Sequence, residues 1–266
     1  MTELMRTPLI LILLAALALS ACNPSAANKN LTNGNNNTAL RVVEPTKPLV
    51  PASAVDPNFK ACNPYYPLVP GSRRKYVISY SSGIHAEATA VVEPWEENGR
   101  KGFKELIQIV DSTGGYQIKQ LIERHYVCDG DKVSILYEKT DSDVDSNKTV
   151  TEFFYRDNAY AMIEPASLKP GATWSHSLKL KIQPPGQPAS EPDAPTVVQF
   201  TVVNEQELQL PTGKVKALQL FRKVGEAEMN DYFAPGIGFV KRTSKEGTGW
   251  ELKEYSGLKP IEVANP

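Results

Sequence analysis

Asp141, Asp143, Asp145, Asn147 and Glu152 follow one another at the ligand spacing of a calcium-binding EF-hand loop. Alternate oxygens there would wrap a hard cation, and the late Glu would close the cage. Three features weaken this. Ser146 stands where the sharp turn wants Gly, and Lys148 puts a cation where an apolar residue is usual. Both flanks, Ile135–Lys139 and Val150–Tyr155, read as strands rather than helices. A solvated acidic hairpin tip explains the same residues, and no metal site is assigned. His85, His125 and His176 have no local partners, and a lone strand histidine is usually solvated or hydrogen-bonded. No Gly-x-Ser-x-Gly elbow, P-loop, dinucleotide fingerprint or His-Glu-x-x-His is present. No catalytic residue and no cofactor are assigned, and the expectation is a protein that is not an enzyme.

The other reactive groups are Cys22, Cys62 and Cys128. A short polar start containing Arg6 precedes an apolar stretch from Leu9 to Leu19, too short to span a bilayer. It ends in Leu19-Ser20-Ala21-Cys22, which resembles the lipobox of bacterial lipoproteins. The resemblance implies cleavage after Ala21, a diacylglyceryl thioether on Cys22 and often a further acyl chain such as palmitate. Two or three chains anchor far more firmly than one, since each buried CH₂ contributes about 0.8 kcal/mol. Asn23 rather than Asp follows the cysteine, which in the enterobacterial sorting pattern is an outer-membrane address. The expected location is the cell envelope: the outer membrane, facing the periplasm or the cell surface, if the host is Gram-negative. Two cysteines remaining in an exported domain suggest a Cys62–Cys128 disulfide, with two free buried thiols as the alternative. A redox role is disfavoured because no Cys-x-x-Cys is present.

Lys and Arg number 29 against 30 Asp and Glu, giving a net charge of −1. That balance argues against charge-driven binding to nucleic acid. With residues 1–21 read as the signal peptide, residues 22–58 form an Asn/Ala/Pro-rich tether. Such a segment lacks the apolar surface to offset its ordering entropy, and as a coil would span about 30 Å. Residues 59–259 have globular composition and length enough for one core, leaving 260–266 as a tail.

The periodicity of that domain is that of strands. Tyr76, Ile78 and Tyr80 share one face of Lys75–Ser81. In the next segment Ile84, Ala86, Ala88, Ala90 and Val92 share a face opposite His85, Glu87 and Thr89. Further β-branched and aromatic runs span 103–110, 116–128, 132–139, 150–155, 160–163, 173–182, 197–210, 214–224, 239–244 and 250–255. Turn signals lie between them, among them Thr113-Gly114-Gly115 and Pro211-Thr212-Gly213. The fold class is mainly β with little helix: a large antiparallel sheet curled into a half-barrel or barrel, with a sandwich as the alternative. The proline-rich stretch 183–196 reads as an extended surface loop unable to pair.

Three pieces are distinctive together: Tyr65-Tyr66-Pro67-Leu68-Val69-Pro70-Gly71-Ser72, Leu210-Pro211-Thr212-Gly213-Lys214-Val215-Lys216-Ala217-Leu218, and Tyr232 through Arg242. They resemble a group of exported bacterial proteins, many of them lipoproteins, without established chemistry. The resemblance implies an antiparallel sheet curled around a helix or loops and transfers no functional residue. Two roles follow for the domain. One is a non-catalytic scaffold or interaction domain with an envelope protein partner. The other is a carrier of a hydrophobic ligand in the concave face of the sheet, lined by Tyr76, Tyr80, Trp95, Trp174 and Trp250. In the native host, radiolabelled palmitate is expected to enter the chain. Cys22→Ser is expected to abolish labelling and release the protein from the membrane fraction.

Overall fold

The computed structural model describes residues 55–263, except 57, 112–117, 145–146, 156–159, 163–167, 185 and 193. Cys22 with its signal, nearly all of the tether, Asp145 and the 113–115 turn lie outside the described residues.

Thirteen strands follow in chain order: β1 (Arg73–Ser79), β2 (His85–Glu97), β3 (Arg100–Asp111), β4 (Ile118–Asp129), β5 (Lys132–Val144), β6 (Asn147–Tyr155), β7 (Tyr160–Met162), β8 (Thr173–Gln183), β9 (Thr196–Leu210), β10 (Gly213–Val224), β11 (Ala227–Ala234), β12 (Gly238–Ser244) and β13 (Gly249–Ser256). Twelve of them pair in the order β4-β3-β2-β1-β13-β12-β11-β10-β9-β8-β6-β5, and β4 pairs with β5 to close the ring. The sheet is therefore a closed antiparallel barrel. β7 prolongs the edge along which β6 meets β5. There is no helix among the described residues.

Alternation explains the closure. Ala86, Ala88, Ala90 and Val92 of β2 are buried, on the face expected from the sequence, while His85 and Glu87 are exposed. The alanines leave room for large neighbours: Tyr76 pairs across from Ala88, and its ring lies 5.8 Å from that of Trp250. Ile78, Ile109, Ile122, Val240 and Leu252 complete this core. The outer wall carries ion pairs between neighbouring strands, including Lys104–Glu93 at 3.4 Å, Lys181–Glu152 at 3.4 Å and Lys75–Glu254, and Lys253 of β13 reaches across β1 to Glu87 of β2 at 3.0 Å. Such a wall belongs in water rather than in lipid, because a midplane Lys on a lipid face would cost about 2–4 kcal/mol.

The structure corrects the sequence reading in three places. Ala227–Ala234, absent from the strand runs read in the sequence, is a full strand, and Tyr232 and Phe233 lie inside it. Asp231, at the buried parity of Ala227, Met229 and Phe233, had masked its alternation. The proline-rich loop pairs at one point, where Ile182 and Ser190 exchange backbone hydrogen bonds of 2.9 and 2.8 Å. The tail still contacts the domain: Ile261 N donates to Pro235 O at 3.2 Å, and Val263 packs beside Phe233 and Leu220.

The segment before β1 ties the barrel together. The β4–β5 and β11–β12 turns lie on opposite sides of the ring. Cys62 is disulfide-bonded to Cys128, and Asn63 Nδ2 donates to Asp131 O at 2.9 Å. One residue later, Pro64 O accepts from Gly236 N at 2.7 Å. Gly236 has φ +76°, and a Cβ there would lie 1.9 Å from Lys259 O, so only glycine fits. Asn63 is fully buried, and its Oδ1 accepts from the backbone N–H groups of Tyr65 and Tyr66. The disulfide closes a span of 66 residues. Replacing both cysteines with Ser is expected to remove about 4 kcal/mol in the chain-entropy account. Differential scanning calorimetry should show a melting temperature lower by roughly ten degrees.

Candidate functional site

Inward positions of barrel strands are normally apolar, yet seven here are ionisable. β1 supplies Arg74, β3 Glu105, β4 Arg124, β5 Glu138, β10 Arg222, β11 Asp231 and β12 Arg242. They form two ladders. In the first, Arg74 Nη2 donates to Glu105 Oε1 at 3.1 Å, reaching past β2 where its paired residue is only Ala90. Arg124 Nη1 lies 3.6 Å from Glu105 Oε2, and its Nε donates to Glu138 Oε2 at 2.7 Å. In the second, Arg242 grips Asp231 with two hydrogen bonds, from Nε at 2.6 Å and Nη2 at 3.1 Å. Arg222 Nε is 3.1 Å from Asp231 Oδ2 but not aligned to donate. The Arg242 guanidinium also lies over Phe239, 5.1 Å from the ring centre.

These ladders, with Tyr66, Tyr126 and aromatic rings around them, line a cavity of about 130 Å³. Its floor is dry, with the Arg74 and Glu105 side chains 3% and 6% exposed. Arg124 at 23% and Arg222 and Arg242 at 16% are still reached by solvent. The Tyr66 and Tyr126 hydroxyls share a 2.6 Å hydrogen bond, and Tyr126 also donates to Glu105 Oε2 at 3.3 Å. Burial pushes the Tyr66 phenol up to about 12. Burial, with Tyr66 and Glu105 alongside, pushes Tyr126 well above its ordinary value, so both are neutral donors.

Burial alone would raise the Asp231 carboxyl, but Arg222 and Arg242 outweigh it and hold it below the usual carboxylate range. Arg222 moves the other way from a simple ion-pair partner. Burial, and then Arg242, bring it down to about 10 against the pull of Asp231, so it stays charged at neutral pH while crowded by like charge.

The structure disperses most residues singled out from sequence. Asp141 and Asp143 lie on β5 and Asn147 and Glu152 on β6, cross-paired in extended backbone. Asp141 Oδ2 holds Lys139 Nζ at 3.0 Å, and Glu152 accepts from the Tyr137 hydroxyl at 2.7 Å. Among the described residues, no three His, Cys, Asp or Glu side chains converge to hold a metal. The histidines sit on β2, β4 and β8, which are not neighbours. Of the aromatics proposed for a cavity, Tyr76 and Trp250 line it. Trp95 instead packs on His125, ring centres 4.7 Å apart, and Trp174 stacks on Phe200. The seven charged residues were not singled out. Their signal was a charge at the apolar parity of a strand: Arg74 with Tyr76 and Ile78, Glu105 with Ile107 and Ile109, Arg222 with Leu218 and Leu220.

No family model matches the chain, and no curated protein matches it. It is similar to a "putative exported protein with YmcC-like fold" from Bacteroides fragilis, at 10% identity over 70% of this chain and 95% of that one, with a TM-score of 0.40. It is also similar to a "putative lipoprotein" from Parabacteroides distasonis, at 9% identity over 74% of this chain and 100% of that one, with a TM-score of 0.44.

His176 of β8 also lines the cavity. His176 packs between Tyr155 and Phe200, and burial, then the Arg222 charge, bring it down to about 4. A histidine depressed in the folded state stays neutral there while the unfolded chain takes up a proton below about pH 6.5. Its contribution is present above that pH and is lost as pH falls from about 6.5 toward 4. Urea unfolding across that window should show stability falling with acidity in the native chain. In His176→Gln that slope should be reduced.

Proposed function

We propose that the chain is a non-catalytic, lipid-anchored protein of the cell envelope. The barrel is its scaffold or interaction domain, held off the membrane by the tether. The observation that carries this reading is the charged interior of the closed barrel. The Arg–carboxylate ladders, with Tyr66 from the segment before β1, occupy the space that an acyl chain would need. A lumen with several ionised side chains also repels hydrocarbon, because those groups lose their remaining water when it enters. This argues against the hydrophobic-carrier alternative. The Leu19–Cys22 motif supports the anchor, Asn23 after it supports the outer-membrane address, and a cystine suits an exported domain.

Native mass spectrometry of the full-length Cys22→Ser protein tests the reading. The expected result is the mass of the polypeptide with no retained lipid. A co-purifying phospholipid or fatty acid at one per chain would return the carrier alternative to first place.

A further inference from the structure

Four guanidiniums face three carboxylates in the cavity, which leaves one positive charge over. The excess lies where solvent reaches. Arg74 is spent on Glu105 in the dry floor, whereas Arg222, Arg242 and Arg124 stand at the wetter part. Donors are also in surplus. The Nε of Arg74, the Nε of Arg222 and the Nε1 of Trp250 are buried without an aligned hydrogen-bond partner. An arginine carries only donors and a tryptophan nitrogen donates only, so the missing component is an acceptor. An unmet buried donor is costly, and a bound acceptor would remove that cost.

Size and polarity narrow the choice. About 130 Å³ is close to the roughly 150 Å³ cavity that admits one benzene, so the apolar body of a ligand can be no larger than about one such ring. The remaining wall is aromatic, with Phe200, Phe233, Phe239 and Trp250. We propose that this cavity is a binding site for a small organic monocarboxylate, its carboxylate held by Arg222 and Arg242 and its short apolar body against those rings. Planar guanidiniums match a carboxylate two bonds at a time, which suits this head group better than a halide. The site is independent of the lipid anchor, so it stands or falls apart from the envelope assignment.

The test is calorimetric titration of the full chain in detergent with sodium benzoate, sodium acetate and inorganic phosphate, matched in ionic strength with sodium chloride. Trp fluorescence is followed in parallel because Trp250 lines the cavity. Benzoate is expected to bind saturably, one per chain, and to change the fluorescence, with acetate weaker. Arg222→Leu should weaken benzoate by about tenfold or more, the loss expected for one charge-assisted contact. Arg222→Lys should restore part of the affinity and also serves if the Leu variant does not fold. Absence of saturable benzoate binding would overturn the proposal, as would a response that chloride reproduces. Phosphate binding without benzoate binding would overturn the ligand class. Unchanged affinity in both Arg222 variants would overturn the site.

Discussion

Seven ionisable side chains face the inside of this barrel, and each is tolerable there only while its partners are held in place. Taking a charge out of water costs several kcal/mol, which a well-aligned partner repays and a misplaced one does not. Arg74 and Glu105 meet at 3.1 Å with almost no exposure, and Asp231 serves two arginines at once. Losing one member leaves the others buried and uncompensated, a defect of about 3–5 kcal/mol in comparable sites. The closed ring is what holds these partners in register, since six of the seven come from strands next to another contributor.

Closure in turn depends on the segment before β1. Between Cys62 and Tyr66 the chain passes from the β4–β5 turn to the β11–β12 turn, from one wall to the opposite one. Tyr66 then touches both walls, through the Tyr126 hydroxyl and at 5.9 Å from the Phe233 ring. Gly238 faces Pro67 and Arg74, where a Cβ would lie 2.7 Å from the guanidinium. Two of the three distinctive sequence pieces, Tyr65–Ser72 and Tyr232–Arg242, are thus the two sides of one contact. That contact borders the charged cavity, so strap, turn and ion ladders form one packed unit.

Much of this was legible in the residues. Alternation in β1 and β2 marked the correct inner faces, and Pro211-Thr212-Gly213 was rightly read as the turn between two strands. β11 was not legible, because Asp231 sits at an inward position where alternation calls for an apolar residue. The same rule hid the site: Arg74, Glu105 and Arg222 interrupt otherwise apolar faces and look, in one dimension, like exposed charges. The acidic run at Asp141–Glu152 drew attention for its spacing, yet β5 and β6 hold it as a paired extended hairpin in which Asp141 faces Val150, Asp143 faces Lys148 and Glu152 faces Lys139, so it does not wrap round an ion.

The residues alone determined a β protein with strands of known face, a lipobox-like start and a pair of cysteines within reach of one fold, because those properties follow from local spacing and composition. Only the tertiary structure decided that the sheet closes, that opposite walls are joined through residues 62–66, and that charges from seven strands share one small cavity. Those depend on which distant strands become neighbours, and the energy of a buried ion is set by the partners across that space rather than by residues beside it in the chain.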